Sequence, residues 1–322
     1  MSFFSFRLFF LSFFVGLLAW SYTNSGFSLD PIVTIPTTGI ILITGASTGI
    51  GRAAAEALAR RAPHLTIFAG VRRKVDATSI KAVGEPNLRP IFLDVSDQVS
   101  VARAVTQLSA LGLPLVGLVN NAGVARGPTV VEFHEIEVDA RSVFEVNVLG
   151  ALRVTQALLP ALRQSHGRVV FVSSIFGALA PPMGGIYSAS KFALEALADS
   201  LRREVGPLGV SISVVRPGAV LTPIFATLTN ASIAAAVRDS TPAARTYPHL
   251  HLPADLANEV RIEALAASTQ VTDEVIIDAL LSRRPKTRYT VANICGVPSI
   301  VLQTLAALLP DRALDYVLSM KG

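Results

Sequence analysis

The chain is poor in the residues that mark several common protein classes. It has a single cysteine, Cys295, in 322 residues. That excludes an internal disulfide and leaves the redox compartment unread. Among its 5 histidines, His249-x-His251 is the one tempting metal pair. No third ligand lies near it in the sequence, so no metal is expected. His134 reads as a surface residue. Charged residues make up only 16%, and 28 basic against 23 acidic groups leave a net charge of +5. With no basic run and few aromatics, nucleic acid is not an expected partner. There is no internal repeat and no low-complexity linker, so one domain is expected after an N-terminal segment.

Apolar residues, by contrast, are abundant: 51% of the chain, with a mean hydropathy of +0.52. Part of the excess lies in residues 1–30, where Phe3 to Trp20 is apolar but for two serines and Arg7. This run is either a retained membrane anchor or the core of a secretory signal peptide. Its length, near the roughly 20 residues a span needs, favours the anchor, and with it a membrane-associated location in the endoplasmic reticulum. The amino terminus and Arg7 near the start of the run, with Asp30 after it, place the N-terminus in the cytosol. The triplet Asn230-Ala231-Ser232 is a sequon usable on the far side. A second apolar stretch, Ile294 to Leu309, lies in the C-terminal tail, residues 293–322. It reads as a core or subunit-packing helix, with surface docking near the substrate entrance as the sharper alternative.

Between these ends, short apolar runs alternate with amphipathic segments. Strands are expected at 39–44, 65–69, 88–93, 116–120, 168–173 and 211–215, with a last one at 288–291. Helices are expected at 50–61, 97–111, 139–164, 186–205 and 271–282, the last capped by Thr272 or Asp273. Such alternation predicts an α/β fold, a doubly wound parallel sheet with helices on both faces. The first strand runs through Thr44 into Gly45-Ala-Ser47-Thr48-Gly49-Ile50-Gly51 and then a strong helix former. Strand, glycine turn and helix bring backbone N–H groups and a positive helix end against a pyrophosphate. Further on, Tyr187 and Lys191 stand four apart, so on a helix they share a face. An ammonium beside a phenol favours the phenolate, which is expected to pull the Tyr187 pKa from near ~10 toward neutrality.

With these motifs the chain resembles the short-chain dehydrogenase/reductases, in their compact Tyr-x-x-x-Lys branch, densely over residues 38–225. The resemblance implies a Rossmann-type catalytic domain over 38–292 and a set of roles. Ser174, thirteen residues before Tyr187, would hold the substrate oxygen, and Ser173 beside it is the rival. Tyr187 would exchange a proton with that oxygen. Lys191 would hold the nicotinamide ribose, and Asn147 would anchor a water linking Lys191 to solvent. Asp94 and Val95 would contact adenine, and Asn121-Ala122-Gly123 would wall the cofactor. Pro217-Gly218, Val220 and Thr222 would lie on the nicotinamide side. A homodimer or homotetramer is the implied assembly, paired through the two long helices.

Cofactor choice turns on Arg72-Arg73-Lys74 after the second strand. A carboxylate there would suit NAD, and a cation suits the extra phosphate of NADP. NADP with Arg72 as the main contact is the expectation. NAD is the alternative, since Thr48 occupies a position where many NADP members are basic. A lid over about 221–268 supplies Val220, Leu221, Ile224, Phe225, Leu228 and Ile233, so a lipophilic substrate is expected. Gly184-Gly185 is expected to leave room on the opposite wall. The implied activity is hydride transfer between nicotinamide and a lipophilic alcohol or carbonyl such as a retinoid, steroid or long-chain ketone, as in the branch containing retinol and hydroxysteroid dehydrogenases. A non-catalytic dinucleotide-binding sensor or scaffold is the alternative.

Overall fold

Every residue of Gly39–Ile43 (β1) is buried, which requires an apolar layer on each side of the strand. Successive side chains of a strand point to opposite faces, and the two cores divide accordingly. Ile41 and Ile43 join one core with Leu58, Ile276 and Leu280. Ile40 and Leu42 join the other with Leu118, Val154, Leu158 and Leu194. A strand apolar on both faces belongs in the middle of a covered parallel sheet.

The structure is a computed structural model, and it describes residues 37–126, 130–224, 246–247, 266–294 and 296–319. The apolar run Phe3 to Trp20, the Asn230 sequon, Phe225, Leu228 and Ile233 of the expected lid, His249, His251 and Cys295 lie outside the described residues. Among those described, no helix is long and apolar enough to cross a membrane.

In chain order the strands are β1, β2 (Leu65–Val71), β3 (Leu88–Phe92), β4 (Leu115–Asn120), β5 (Arg168–Val172), β6 (Ser211–Pro217) and β7 (Arg288–Val291). They form one sheet in the order β3-β2-β1-β4-β5-β6-β7, with every pairing parallel. The helices are α1 (Gly49–Arg61), α2 (Lys74–Lys81), α3 (Gln98–Ser109), α4 (Arg141–Phe144), α5 (Ala151–Ser165), α6 (Gly185–Val205), α7 (Gln270–Leu281), α8 (Ser299–Leu308) and α9 (Asp311–Ser319). A small antiparallel pair, β8 (Asn293–Ile294) and β9 (Val297–Pro298), precedes α8. The chain winds outward from β1 to β3, then returns to place β4 on the other side of β1. A crevice therefore opens at the carboxyl ends of β1 and β4, where doubly wound sheets bind ligands.

Three expectations are corrected. The helix expected at 139–164 is not uniform: wide π-type turns at Ile136–Ala140 and Glu145–Gly150 flank α4 before α5 begins. Neither Thr272 nor Asp273 caps α7. Both lie inside its first turn, after Thr269 at the cap position, and the Thr272 hydroxyl donates to the Thr269 carbonyl at 2.5 Å. The apolar C-terminal stretch is not core, because Ile300, Val301 and Leu308 of α8 are 51%, 44% and 57% exposed.

Candidate active site

Thr44, at the end of β1, organises the crevice. Its hydroxyl accepts the backbone N–H groups of Asn121 at 3.0 Å and Ala122 at 2.9 Å, and donates to the Val119 carbonyl at 3.3 Å. In return the Asn121 amide donates to the carbonyls of Thr44 at 2.9 Å and Gly45 at 3.0 Å. The glycine turn and the wall after β4 are thus laced side to side. Gly51 must be glycine here: a Cβ would run into Asn121 Nδ2 and lie 2.7 Å from the Gly45 carbonyl. Gly49 takes a φ of +57°, where a side chain is strained. The turn delivers α1 with Thr48 at its cap making no side-chain cap bond, and with no acidic residue in the first turn. Its first amides face the cleft as donors, the arrangement that holds a phosphate.

The cleft at this end of the sheet has a volume of about 500 Å³. Gly45, Ser47, Thr48, Gly49, Ile50, Arg72, Asp94, Val95, Asn121, Ala122, Gly123, Pro217, Gly218, Val220 and Thr222 line it together with Ser174, Tyr187 and Lys191. Three expected residues stand behind the wall instead. Thr44 and Gly51 serve the turn as just described. Asn147, 1% exposed, lies in the π-type turn Glu145–Gly150. Its Oδ1 accepts from the Val124 N–H at 2.8 Å, and its Nδ2 donates to the Val124 carbonyl at 3.0 Å and to Ser190 Oγ at 3.1 Å. Asp94 Oδ1 is engaged by the Ser96 N–H and hydroxyl.

Tyr187 and Lys191 both lie on α6, and the ammonium is 5.6 Å from the centre of the phenol ring. Lys191 Nζ donates to the Val172 carbonyl at 3.0 Å, which ties the helix to the end of β5. Ser174 opens the turn Ile175–Gly177, where its Oγ accepts the Phe176 N–H at 3.2 Å. Phe176 meets the Tyr187 ring edge-on at 6.3 Å.

Residues 39–232 match the sequence profile of the short chain dehydrogenase family. The chain is a short-chain dehydrogenase. It is 36% identical over 289 residues to retinol dehydrogenase 5 of Mus musculus, covering 87% of each chain. It is 33% identical over 260 residues to 17-beta-hydroxysteroid dehydrogenase type 6 of Rattus norvegicus, covering 78% of this chain and 79% of that protein. Among solved structures, the alcohol dehydrogenase of the archaeon Thermococcus sibiricus, complexed with 5-hydroxy-NADP, is 29% identical. It matches with a TM-score of 0.53 over 57% of this chain and 77% of that one. The enzyme thus belongs to a family of oxidoreductases that act on CH–OH groups.

In this short-chain dehydrogenase the electrostatics of the Tyr–Lys pair differ from the expectation. Burial pushes the Tyr187 phenol up to about 12, with the hydrogen bond from Ser174 acting in the opposite direction. Burial also brings the Lys191 ammonium down to about 8, opposed by the charge of Glu195. Loss of solvent disfavours a phenolate and an ammonium alike, and it is the larger cause for both groups here. The sequence reading missed this because spacing on a helix says nothing of how dry the site is.

Around the cleft, the expected basic loop sorts itself. Arg73 makes two bonds to Asp76, at 2.8 and 2.7 Å, whereas Arg72 follows β2 directly and lines the cleft. Val220 and Ile224 line the cleft as expected, while Leu221 does not and is 51% exposed. Among the described residues Gly184 and Gly185 do not line the cleft, and a Cβ on Gly185 would meet Val131 at 2.8 Å. His134 is no surface residue, its side chain being 5% exposed. Ser173, Val146, Pro223 and Ile294 also line the cleft and were not anticipated as lining. Of these only Ser173, beside Ser174, carried a sequence signal.

Gly51→Ala is expected to displace Asn121 and weaken NADPH binding by about tenfold or more, equivalent to ~1.4 kcal/mol. Fluorescence titration with NADPH measures this, and an unchanged dissociation constant contradicts the packing described for the turn.

Proposed function

We propose that this enzyme transfers hydride between NADP(H) and a lipophilic alcohol–carbonyl pair. One observation carries the reading: Ser174, Tyr187 and Lys191 share a single cleft with the uncapped start of α1. The cradle fits a dinucleotide. The free amides at α1 suit the pyrophosphate, and Arg72, whose neighbour Arg73 is occupied by Asp76, suits a 2′-phosphate. The NADP analogue in the archaeal relative supports the same cofactor. NAD is the second reading, favoured by Thr48, which brings no cation to the glycine turn.

When bound, the nicotinamide supplies or accepts the hydride, and the protein contributes alignment and proton management. Ser174 holds the substrate oxygen through its hydroxyl, in the same cleft as the Tyr187 phenol. A phenol raised to about 12 remains protonated at working pH. It can therefore donate its proton to that oxygen when a carbonyl is reduced. Lys191, fixed by the Val172 carbonyl, holds the cofactor ribose beside the phenol and offers a positive charge as the phenol gives up its proton. Asn147 pins Val124 and Ser190 on the Lys191 side, and anchors the water that joins Lys191 to solvent.

The substrate enters against Val146, Val220, Ile224 and Ile294, an apolar wall that suits a retinoid, steroid or long-chain ketone. The activities named for the mouse and rat relatives support that class. Residues 38–292 form the catalytic domain and 293–322 its tail. The run Phe3 to Trp20 anchors the enzyme at the endoplasmic reticulum membrane, and the assembly is a homodimer built on its long helices.

A screen of NADPH and NADH against retinal, ketosteroids and aliphatic ketones tests the whole reading, which fails if no carbonyl is reduced. Tyr187→Phe is expected to lower turnover by at least about 10²-fold with NADPH affinity little changed. In the native enzyme, turnover falls as pH rises through about 8, where Lys191 loses its charge. A flat profile to pH 10 contradicts that role. Arg72→Asp is expected to invert the preference toward NADH, as read from the ratio of kcat/KM for the two cofactors. An unchanged ratio removes Arg72 from phosphate recognition.

A further inference from the structure

One turn beyond Lys191 on α6 lies Glu195, a carboxylate 6% exposed that the reaction just described does not use. Its two oxygens are gripped by Arg216 at 2.7 Å each, and Arg288 adds a third bond at 3.3 Å. Arg288 also reaches Asp199 at 2.8 Å. The fork is therefore not a surface pair: Arg216 is 8% exposed, and it stands on β6 immediately before Pro217-Gly218.

Glu195 touches the Ser174 segment as well. A Cβ on Gly177 would lie 3.1 Å from Glu195 Cγ and 2.6 Å from Ser173 Oγ. Only glycine at the end of the Ser174 turn lets that turn settle on the carboxylate. Three segments thus meet on one side chain: the turn after Ser174, the helix bearing Tyr187 and Lys191, and the strand that leads into Pro217-Gly218. No other acidic group is so placed among the described residues.

We propose that Glu195 is a positioning residue for hydride transfer, tying these three segments together and placing a buried carboxylate one turn from Lys191 on the same helix. It makes no direct ion pair with Lys191, so its action is through the field and the framework. The ionisable groups around Lys191 are Tyr187 and Glu195 on its own helix. Behind Glu195 stand Arg216 from β6, Arg288 from β7, and Asp199. The facing segment Asn121–Val124 and the buried Asn147 carry no charge. Glu195 is the one anion among these that acts directly on Lys191, opposing the effect of burial. The inference rests on the hydride-transfer reading for its kinetic consequence but not for the titration itself.

Glu195→Gln keeps the shape and removes the charge. The chain has five lysines, Lys74, Lys81, Lys191, Lys286 and Lys321, so the Lys191 signal is identifiable by NMR of 13C-labelled lysine, with Lys191→Arg for assignment. The expected result is a Lys191 titration midpoint lower by roughly one pH unit or more, and an alkaline limb of kcat that moves down with it. Where Glu195→Gln does not fold, the double variant Glu195→Gln, Arg216→Gln is compared with Arg216→Gln alone, so that the pair of proteins still differs only by the carboxylate charge. A Lys191 midpoint that does not move between the two proteins compared overturns the proposal. Should the native enzyme reduce no carbonyl, the reaction assignment falls while the lysine titration is still read.

Discussion

The exchange of hydrogen bonds between Thr44 and Asn121 is the constraint on which the rest of the site depends. Parallel strands end with free backbone groups, and where the winding reverses between β1 and β4 the Thr44 N–H still donates to the Val119 carbonyl, while groups just beyond are met by side chains. Thr44 Oγ1 takes two amides from the β4 side, and Asn121 Nδ2 takes two carbonyls from the β1 side. Both loops are held open as a rigid mouth rather than collapsing onto each other. The start of α1 can therefore face the cleft without a cap of its own, since its unsatisfied donors are directed where an anion would lie.

The chemistry of the mouth follows from dryness more than from the proximity of charges. Tyr187 and Lys191 are brought to one face by helical spacing, yet burial moves the phenol up and the ammonium down. A phenol held protonated beside an ammonium near its titration point is what the proposed proton donation rests on. An exposed pair at the same spacing would have neither property, because water would screen both groups. The buried fork of Arg216 and Glu195 sits beneath this pair. Charges are retained there in a region otherwise emptied of them, and breaking such a pair singly is strongly destabilising.

Strands 39–44, 168–173 and 288–291 were legible because short β-branched runs have few other readings. The glycine turn was legible because the residues on either side were a clear strand and a clear helix. The cofactor wall was read from its motif, and all but Thr44 and Gly51 of its expected members line the cleft. What escaped notice was Glu195, although it stands one turn from Lys191, because a glutamate on a helix usually faces water. Sequence alone offers Gly185 as a substrate wall, whereas its empty face receives Val131, a neighbour from a distant part of the chain. His134 was read as exposed for the same reason: burial is a property of what surrounds a residue.

Local order along the chain was enough to predict the winding of the sheet and the site's position at its carboxyl edge, and the family resemblance pointed to Ser174, Tyr187 and Lys191, which share the cleft. The first two depend on spacing and periodicity, which are properties of neighbours in sequence. Tertiary structure alone decided that burial governs the tyrosine and lysine, that Asn147 stands behind the wall rather than in it, and that Glu195 meets Arg216 of β6 and the turn at Gly177. Those outcomes depend on how much water and which charges distant segments bring to a point, and that is set only when the chain has folded.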